Sequence, residues 1–431
     1  MGYTPNRRGL TSANVLDLPD DDWRSLPEVH VSDIIAFLAC RRAWNWSSRL
    51  RGNLEPIRPY APFVLGRAVH EASERLNAYG IAPLETVNTY FDSEVSVLVA
   101  AEPAFVAHEA RNAVVETLGV GALAATTTDE EWLRDGAAVT SASLIASDLS
   151  KLEEQRELAL GMLQHYQLWE KRQRGPFSMN NLEFLTIEQE FAVPIVNPVT
   201  GVYSTKACFS GKWDGLVRRI DNGDVFIWEL KTTKSIGHRA KMLSNDIQCS
   251  MYLNAAKLAF PELAGQLRGM IYTLMGKRVP KSPRVLNDGY LSKDIRGQSL
   301  DSYIKFVEQH HQLRETMNDA ERRRFVATHY AAPLAALADS TAPDNTFFER
   351  HIVSRNADAL RNASIDLWEL AENMTDPSLP LYPTPGYQCN YCLFYEPCIE
   401  LQNGKNVSET LSSMFRKRVQ HAGDSDADPD L

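Results

Sequence analysis

Phe-Ser-Gly-Lys-Trp-Asp-Gly-Leu-Val-Arg-Arg-Ile, residues 209–220, and Asp-Val-Phe-Ile-Trp-Glu-Leu-Lys, residues 224–231, lie on either side of Asn222-Gly223. The fold is decided by how this stretch is read. Both arms are rich in strand formers, and Asn-Gly between such runs is the strongest short hairpin signal. With those two residues as the turn, Asp221 faces Asp224, and counting back sets Lys231 across from Asp214. Glu229 then lies diagonally from Asp214 on the same face, because side chains alternate with a period of two. Directly opposed Cβ atoms are about 5 Å apart and diagonal ones roughly 7 Å, so two carboxylates and an ammonium group converge. The other face, carrying Trp213, Val217, Trp228 and Leu230, reads as core.

Val225–Trp228 is apolar on both faces, as in a buried central strand, where unpaired charge is costly. Any one of these charged side chains could belong to a solvated hairpin. Three of them crowded at the tip of a buried strand point instead to a metal or catalytic centre.

Two further pairs of residues fall at helical spacing. Phe63–Ala78 has apolar residues at helical intervals, with Gly66 and His70 one turn apart on a shared face; a glycine there lets the helix approach another backbone. Gln248 and Tyr252 share a face of a helix expected from about Ala240 to Leu258. In chain order, Gly66-Arg-Ala-Val-His70, Gly211-Lys-Trp-Asp214, Glu229-Leu-Lys231 and Gln248-Cys-Ser-Met-Tyr252 resemble the PD-(D/E)XK nuclease superfamily in its RecB-like branch. The motifs of that branch are GxxxH, an aspartate in a Gly-x-x-Asp-like context, ExK and QxxxY. Each is weak alone; four in order, with the middle two on a hairpin, are specific.

The resemblance implies an α/β fold, a restriction-endonuclease-like mixed sheet flanked by helices, with large helical insertions. It implies Asp214, Glu229, Lys231, Gln248 and Tyr252 as catalytic residues, and His70, Asp214, Glu229 and Leu230 as holders of Mg2+ or Mn2+. Such an ion polarises a phosphoryl oxygen and lowers the pKa of water, and an imidazole among the ligands favours Mn2+. From the residues alone, His70 also reads as a satisfied, partly buried histidine, and Gln248 and Tyr252 as a helix face packed on the sheet. The implied activity is that of a DNA exonuclease on single strands or ends, in recombination, replication or CRISPR-type processing. An endonuclease of the same superfamily is one alternative, and a non-catalytic DNA-binding adaptor subunit of a helicase–nuclease complex is another.

Cys389-Asn-Tyr-Cys392-Leu-Phe-Tyr-Glu-Pro-Cys398 forms a tight cluster, and no apolar secretory segment opens the chain. Clustered thiols in that setting read as metal ligands rather than disulfides. Cys40 is the candidate fourth ligand, because Val31–Arg42 resembles the N-terminal helix of the iron–sulfur nucleases of this branch, the AddB-type and CRISPR-associated exonucleases. The resemblance implies a [4Fe-4S] cluster on Cys40, Cys389, Cys392 and Cys398, a staple joining the N- and C-terminal parts. Structural Zn2+ also suits four thiolates, although a second CxxC knuckle is missing. Cys208 and Cys249 have no spacing partners and read as small buried residues.

The 431 residues carry a net charge of -10, which argues against a surface coated for nonspecific nucleic-acid binding. DNA contact must therefore be local. The candidates are Arg41, Arg42, Arg49 and Arg51; Lys171, Arg172 and Arg174; and the loop from Lys277 to Arg284. No apolar run reaches the length of a membrane span, and a cytoplasmic location is expected. No GxxxxGK[ST] stretch occurs, so a helicase or recombination partner would have to supply any ATP-driven motor.

Along the chain the expected order is a flexible arm (1–26), N-terminal helices with Cys40 and the GxxxH motif (27–80), a helical insertion (81–150) and the nuclease core (151–298). A helical region (299–380), the cysteine cluster with a C-terminal helix (381–419) and a disordered acidic tail (420–431) follow. Expected elements include a helix over Ser147–Arg172, a strand over Leu182–Val196 in which Glu190 adds to an acidic rim, and a strand over Arg268–Met275.

Overall fold

The computed structural model describes residues 22–58, 61–100, 130–338 and 347–418. The expected arm up to residue 21, the middle of the insertion (101–129) and the acidic tail from 419 lie outside the described residues. The elements run β1 (Glu28–Val29), α1 (Val31–Ala39), α2 (Arg41–Ser47), β2 (Leu54–Pro56), α3 (Ala61–Tyr79), α4 (Pro83–Ala100) and α5 (Glu130–Arg172). Next come β3 (Leu182–Val196), β4 (Tyr203–Arg219), β5 (Val225–Thr233), α6 (Ile236–Met242), α7 (Ile247–Ala259) and β6 (Leu267–Gly276). The chain continues through α8 (Leu300–His310), α9 (Leu313–Thr316), α10 (Asp319–His329), α11 (Ala331–Ala338), β7 (Phe348–Val353) and α12 (Ala357–Thr375). It closes with α13 (Tyr395–Gln402), α14 (Ser408–Met414) and β8 (Phe415–Lys417).

The long strand β4 organises the mixed sheet. Along one edge it pairs antiparallel with β3, from Leu182↔Arg219 to Val196↔Tyr203. Its other edge is shared between β1, parallel at Glu28↔Cys208 and Val29↔Phe209, and β5, antiparallel from Arg218↔Val225 to Gly215↔Trp228. Residues 210–214 fall between these two partners, and the site forms there. Strand β5 is buried along its whole length and runs parallel to β6, so residues 234–266 make the helical crossover that a parallel pair requires. β7 completes the far edge, antiparallel to β6.

Helices cover both faces of the sheet, as the apolar run in β5 demands. On one side Ile34 and Phe37 of α1, Tyr252 and Ala255 of α7, and Leu360 and Leu367 of α12 pack with Phe191, Phe209 and Ile227. On the other, Leu65 and Val69 of α3, Phe91 of α4 and Leu163 of α5 pack against Leu230, Met275 and Phe348. The region of α8–α11 has a small core of its own around Tyr303, Val307, Leu313 and Tyr330. No helix among the described residues is long and apolar enough to cross a membrane.

Several expectations change. The hairpin closes two residues further back than Asn222-Gly223 alone would set it: Arg219 N–H donates to Asp224 O at 2.8 Å, which leaves Ile220–Gly223 as a four-residue loop. Gly223 adopts a φ of 78° there and donates to Arg219 O at 2.9 Å. Asn222 turns its carboxamide oxygen onto Asp224 N–H instead of occupying a two-residue turn. The register therefore slips by an even number, which preserves the faces but projects Asp214 opposite Glu229 rather than Lys231. The predicted apolar face also divides: Val217 and Trp228 join one cluster and Leu230 another, whereas Trp213 stacks on Phe191 at 4.2 Å in the α7-side core. The single helix expected over 240–258 is two, α6 and α7. Asp246 breaks it by capping α7, its carboxylate accepting from Gln248 N–H at 2.8 Å. Helix α5 starts at Glu130, well before the expected Ser147.

The segment around residues 51–56 is joined to the C-terminal part of the described chain by backbone pairing. β2 pairs antiparallel with β8, from Leu54↔Lys417 to Pro56↔Phe415, over a core of Trp46, Phe394 and Phe415. Arg416 Nε reaches Glu55 at 2.8 Å, and Arg51 donates to Met374 O and Asp376 O at 3.0 and 2.7 Å.

Candidate active site

At the open edge of β4 the ladder stops, and a side chain takes over its work. Asp214 Oδ2 accepts Leu230 N–H at 2.7 Å, so the carboxylate, not the main chain, ties β4 to the tip of β5. His70 Nδ1 approaches the same oxygen at 3.4 Å from α3. Gly66 of that helix faces β5: a Cβ there would stand 3.4 Å from Thr232 Oγ1, an ordinary contact, so the approach leaves room for a methyl group but little more. On β5, Glu229 Oε1 meets Lys231 Nζ at 2.8 Å, with both side chains almost wholly buried. Gln248, in the first turn of α7, donates to that oxygen at 2.9 Å. His70, Asp214, Glu229, Leu230, Lys231 and Gln248 are thus brought together. Tyr252, one turn beyond Gln248, is fully buried among Phe191 and Phe209.

The structure adds residues that sequence spacing did not single out. Glu188, rather than the exposed Glu190, faces the cluster, and it ion-pairs with Lys212 at 2.5 Å. It lies between the ladder pairs Ile187↔Gly215 and Gln189↔Trp213, level with Asp214. Its φ of 49° is one that a residue with a Cβ rarely adopts, and such outliers concentrate at functional sites. Glu74 of α3 stands close enough for its charge to act on both Glu188 and Lys212. The only sequence signal for Glu188 was its place in a strand beside β4, which fits many residues.

Four carboxyls now share one buried region with His70, Lys212 and Lys231. Burial, then the Asp214 charge, push the Glu229 carboxyl up to about 7, with Lys231 opposing. Burial and Asp214 push Glu188 up to about 8. Burial would raise Asp214 as well, but His70, Lys231 and the Leu230 N–H outweigh it and hold that carboxyl below its ordinary value. Burial works against charge on His70, and the Asp214 carboxylate overcomes it and raises the imidazole. The region is short of positive charge, and the second oxygen of Glu229, Oε2, is buried without a hydrogen-bond partner. Oxygen donors in surplus, plus an imidazole, fit a hard divalent cation. Among the described residues, however, no group of three or more His, Cys, Asp or Glu side chains is arranged to hold a metal ion. Within the site, Lys231 and Gln248 already occupy Glu229 Oε1, at 2.8 and 2.9 Å.

None of the six cysteines is in a disulfide. Cys40 sits in extended backbone between α1 and α2, with Thr384 N–H 3.5 Å from its sulfur. Arg42 Nη1 lies 3.6 Å from Cys398 Sγ, in α13. Cys392 and Cys398 pack on the same core as Trp46 of α2, and Gln388, next to Cys389, donates to the carbonyl of Ala39, next to Cys40, at 3.4 Å, so the four lie in one neighbourhood; burial raises the Cys392 thiol. Cys208 and Cys249 are buried, and burial pushes their thiols up to about 11 and about 12.

Of the basic candidates, Arg172 is paired with Asp301 at 2.8 Å and Arg49 bonds His30 at 3.2 Å. The loop that begins at Lys277 lies beside the end of β5, where Lys277 N–H donates to Thr233 O at 2.8 Å.

No curated protein matches the chain. A family model described as the PD-(D/E)XK nuclease superfamily matches residues 29–398. That span runs from β1 to the last clustered cysteine and takes in every site residue above, so the chain belongs to the PD-(D/E)XK nuclease superfamily.

Proposed function

We propose that this nuclease is a divalent-metal-dependent deoxyribonuclease that works as an exonuclease on single-stranded DNA or DNA ends, in recombination, replication or CRISPR-type processing. The observation that carries the reading is the gathering of Asp214, Glu229 and Lys231 at the tip of a buried strand, with Glu229 Oε2 left unpartnered. His70, Asp214, Glu229 and the main chain of Leu230 would hold Mg2+ or Mn2+. When bound, the ion supplies Lewis-acid activation of the phosphoryl group and of water.

The remaining roles belong to the protein. The Leu230 N–H and His70 fix the Asp214 carboxylate, and Gln248 fixes Glu229, so the acidic oxygens are preorganised. Lys231, held on Glu229, is placed to stabilise negative charge gathering on the phosphate. Tyr252 supports α7 from within the core, and the loop after β6 offers Lys277 and Arg278 to the strand's phosphates.

Wild type and Lys231→Ala compared on end-labelled DNA in Mn2+ test this. Equal degradation by the two would remove the proposed site. Cutting of closed circular DNA would convert the exonuclease into an endonuclease. Absence of cutting by the wild type on every end structure would favour the adaptor reading.

We further propose that Cys40, Cys389, Cys392 and Cys398 hold a [4Fe-4S] cluster. Support comes from the shared neighbourhood of the four thiols, and from the Thr384 N–H and Arg42 guanidinium that would offset thiolate charge. Anaerobically purified protein is then coloured and contains iron, whereas a colourless, zinc-loaded preparation would assign the set to structural Zn2+.

A further inference from the structure

The cysteine-bearing segment carries more aromatic surface than its packing uses. Its core anchor is Phe394, which stacks on Phe415 at 4.4 Å and is buried. Four tyrosines in the same stretch remain in water: Tyr387 is 75% exposed, Tyr395 55%, Tyr382 50% and Tyr391 41%. Tyr387 and Tyr391 are coupled, with ring centroids 5.5 Å apart and hydroxyls at 2.8 Å. This bond fixes the rings on the surface without covering them. The bond bridges the two ends of the turn that holds Cys389, and it leaves the ring faces open; exposed apolar groups gathered in this way mark binding surfaces.

Position decides what would bind. Lys234 Nζ lies 5.9 Å from the Tyr391 ring, and Lys234 follows the last residue of β5, three residues beyond Lys231. At strand rise that is about 10 Å from the site lysine. Nearer the start of the same segment, the Arg41 guanidinium stands 5.0 Å from the Tyr382 ring. Aromatic faces interleaved with cations, in a chain of net charge -10, make a local match for a polyanion that also presents flat faces. In duplex DNA the bases already stack on one another; in a single strand they are free to stack on tyrosine.

We infer that Tyr387 and Tyr391, with Tyr395, Tyr382 and the flanking Lys234 and Arg41, form a stacking platform that receives the unpaired bases of a DNA strand and feeds it to the end of β5. This deepens the deoxyribonuclease reading and rests on it for the destination of the strand, but the binding itself needs no catalysis.

The test is therefore made on the full chain without added divalent ion, by fluorescence anisotropy of labelled oligo(dT), oligo(rU) and a blunt duplex of equal length. Replacing Tyr387 and Tyr391 together by Ala is expected to weaken oligo(dT) binding at least tenfold and leave the duplex within twofold, whereas the double Phe replacement keeps wild-type affinity. Unchanged oligo(dT) affinity in the Ala variant, or equal weakening for duplex and single strand, would overturn the platform. Tighter binding of oligo(rU) than oligo(dT) would overturn its assignment to DNA. Photocrosslinking of bromodeoxyuridine-substituted strand to the wild type gives an answer independent of any variant's folding: adducts must fall within 382–395, and their absence from that segment rejects the proposal. A wild type that binds oligo(dT) through these tyrosines yet cuts nothing in Mn2+ would remove the nuclease reading and leave the platform standing.

Discussion

The acid cluster at the tip of β5 and the cysteine junction between the two ends of the chain are built on opposite plans. In the first, the groups suited to chemistry are also the groups that hold the structure: Asp214 ties two strands through Leu230 N–H, Glu229 is locked by Lys231 and Gln248, and Glu188 is paired with Lys212. In the second, the skeleton is main-chain and apolar. The β2–β8 pairing and the Trp46, Phe394 and Phe415 core carry it, with Cys392 and Cys398 packed against that core. Buried charge tolerates little change, because each partner removed leaves another unpaired. A frame of backbone bonds and apolar packing depends far less on paired buried charge.

The largest effect expected from this contrast is on chemistry. Asp214→Asn keeps an acceptor for Leu230 N–H but loses the charge that faces His70 and Lys231, so cleavage of DNA in Mn2+ should fall at least about a hundredfold, and thermal stability should fall with it. Near-normal cleavage would separate structure from chemistry at a residue where the two are read as joined.

Phe394→Ala should cost about 3–5 kcal/mol locally, seen as lost hydrogen-exchange protection at 54–55 and 415–417 while the β5 amides stay protected. Loss of protection in both regions together would show one cooperative unit and end the distinction.

Gln248→Ala removes one of the donors to Glu229 Oε1. A supporting group of this kind is worth roughly tenfold in metal affinity, measurable as a shift in the Mn2+ concentration giving half-maximal cleavage. An unmoved midpoint would show that Lys231 alone positions the carboxylate.

The smallest effect is the pH response of Glu188→Gln. The Glu188 carboxyl is raised from 4.5 to about 8 in the folded chain, so the native state holds a proton that the unfolded state releases between those values. Stability from this group is fully present below pH 4.5 and is lost as pH rises towards 8. Urea unfolding of the metal-free protein at pH 5 and pH 8 should therefore show a steeper decline for wild type than for Glu188→Gln. Parallel declines would mean that Lys212 already cancels the cost of ionising Glu188.

Much of this was legible in the residues. The apolar run Val225–Trp228, rich in strand formers and preceded by Asn222-Gly223, is the central strand expected of it, and β3 appears over the whole of its expected Leu182–Val196. Period-two alternation guaranteed that Asp214, Glu229 and Lys231 would share a face under either hairpin register, because the turn moved the pairing by an even step. Helical spacing brought His70 and Gln248 towards that face, and the order of the motifs carried the superfamily.

Tertiary structure alone decided the rest. Whether Asn222-Gly223 made a two-residue or a four-residue loop depended on where Arg219 and Asp224 could close the ladder, a choice that local propensity leaves open. Glu188 joined the site through a left-handed kink level with Asp214, and no spacing rule encodes such strain. The pairing of Leu54–Pro56 with Phe415–Lys417 was hidden because short strands carry almost no periodic signal and their partner lies at the far end of the chain. Sequence periodicity fixes which way a side chain points along its own element; which element lies opposite is settled by long-range packing, where the energy of closing the fold resides.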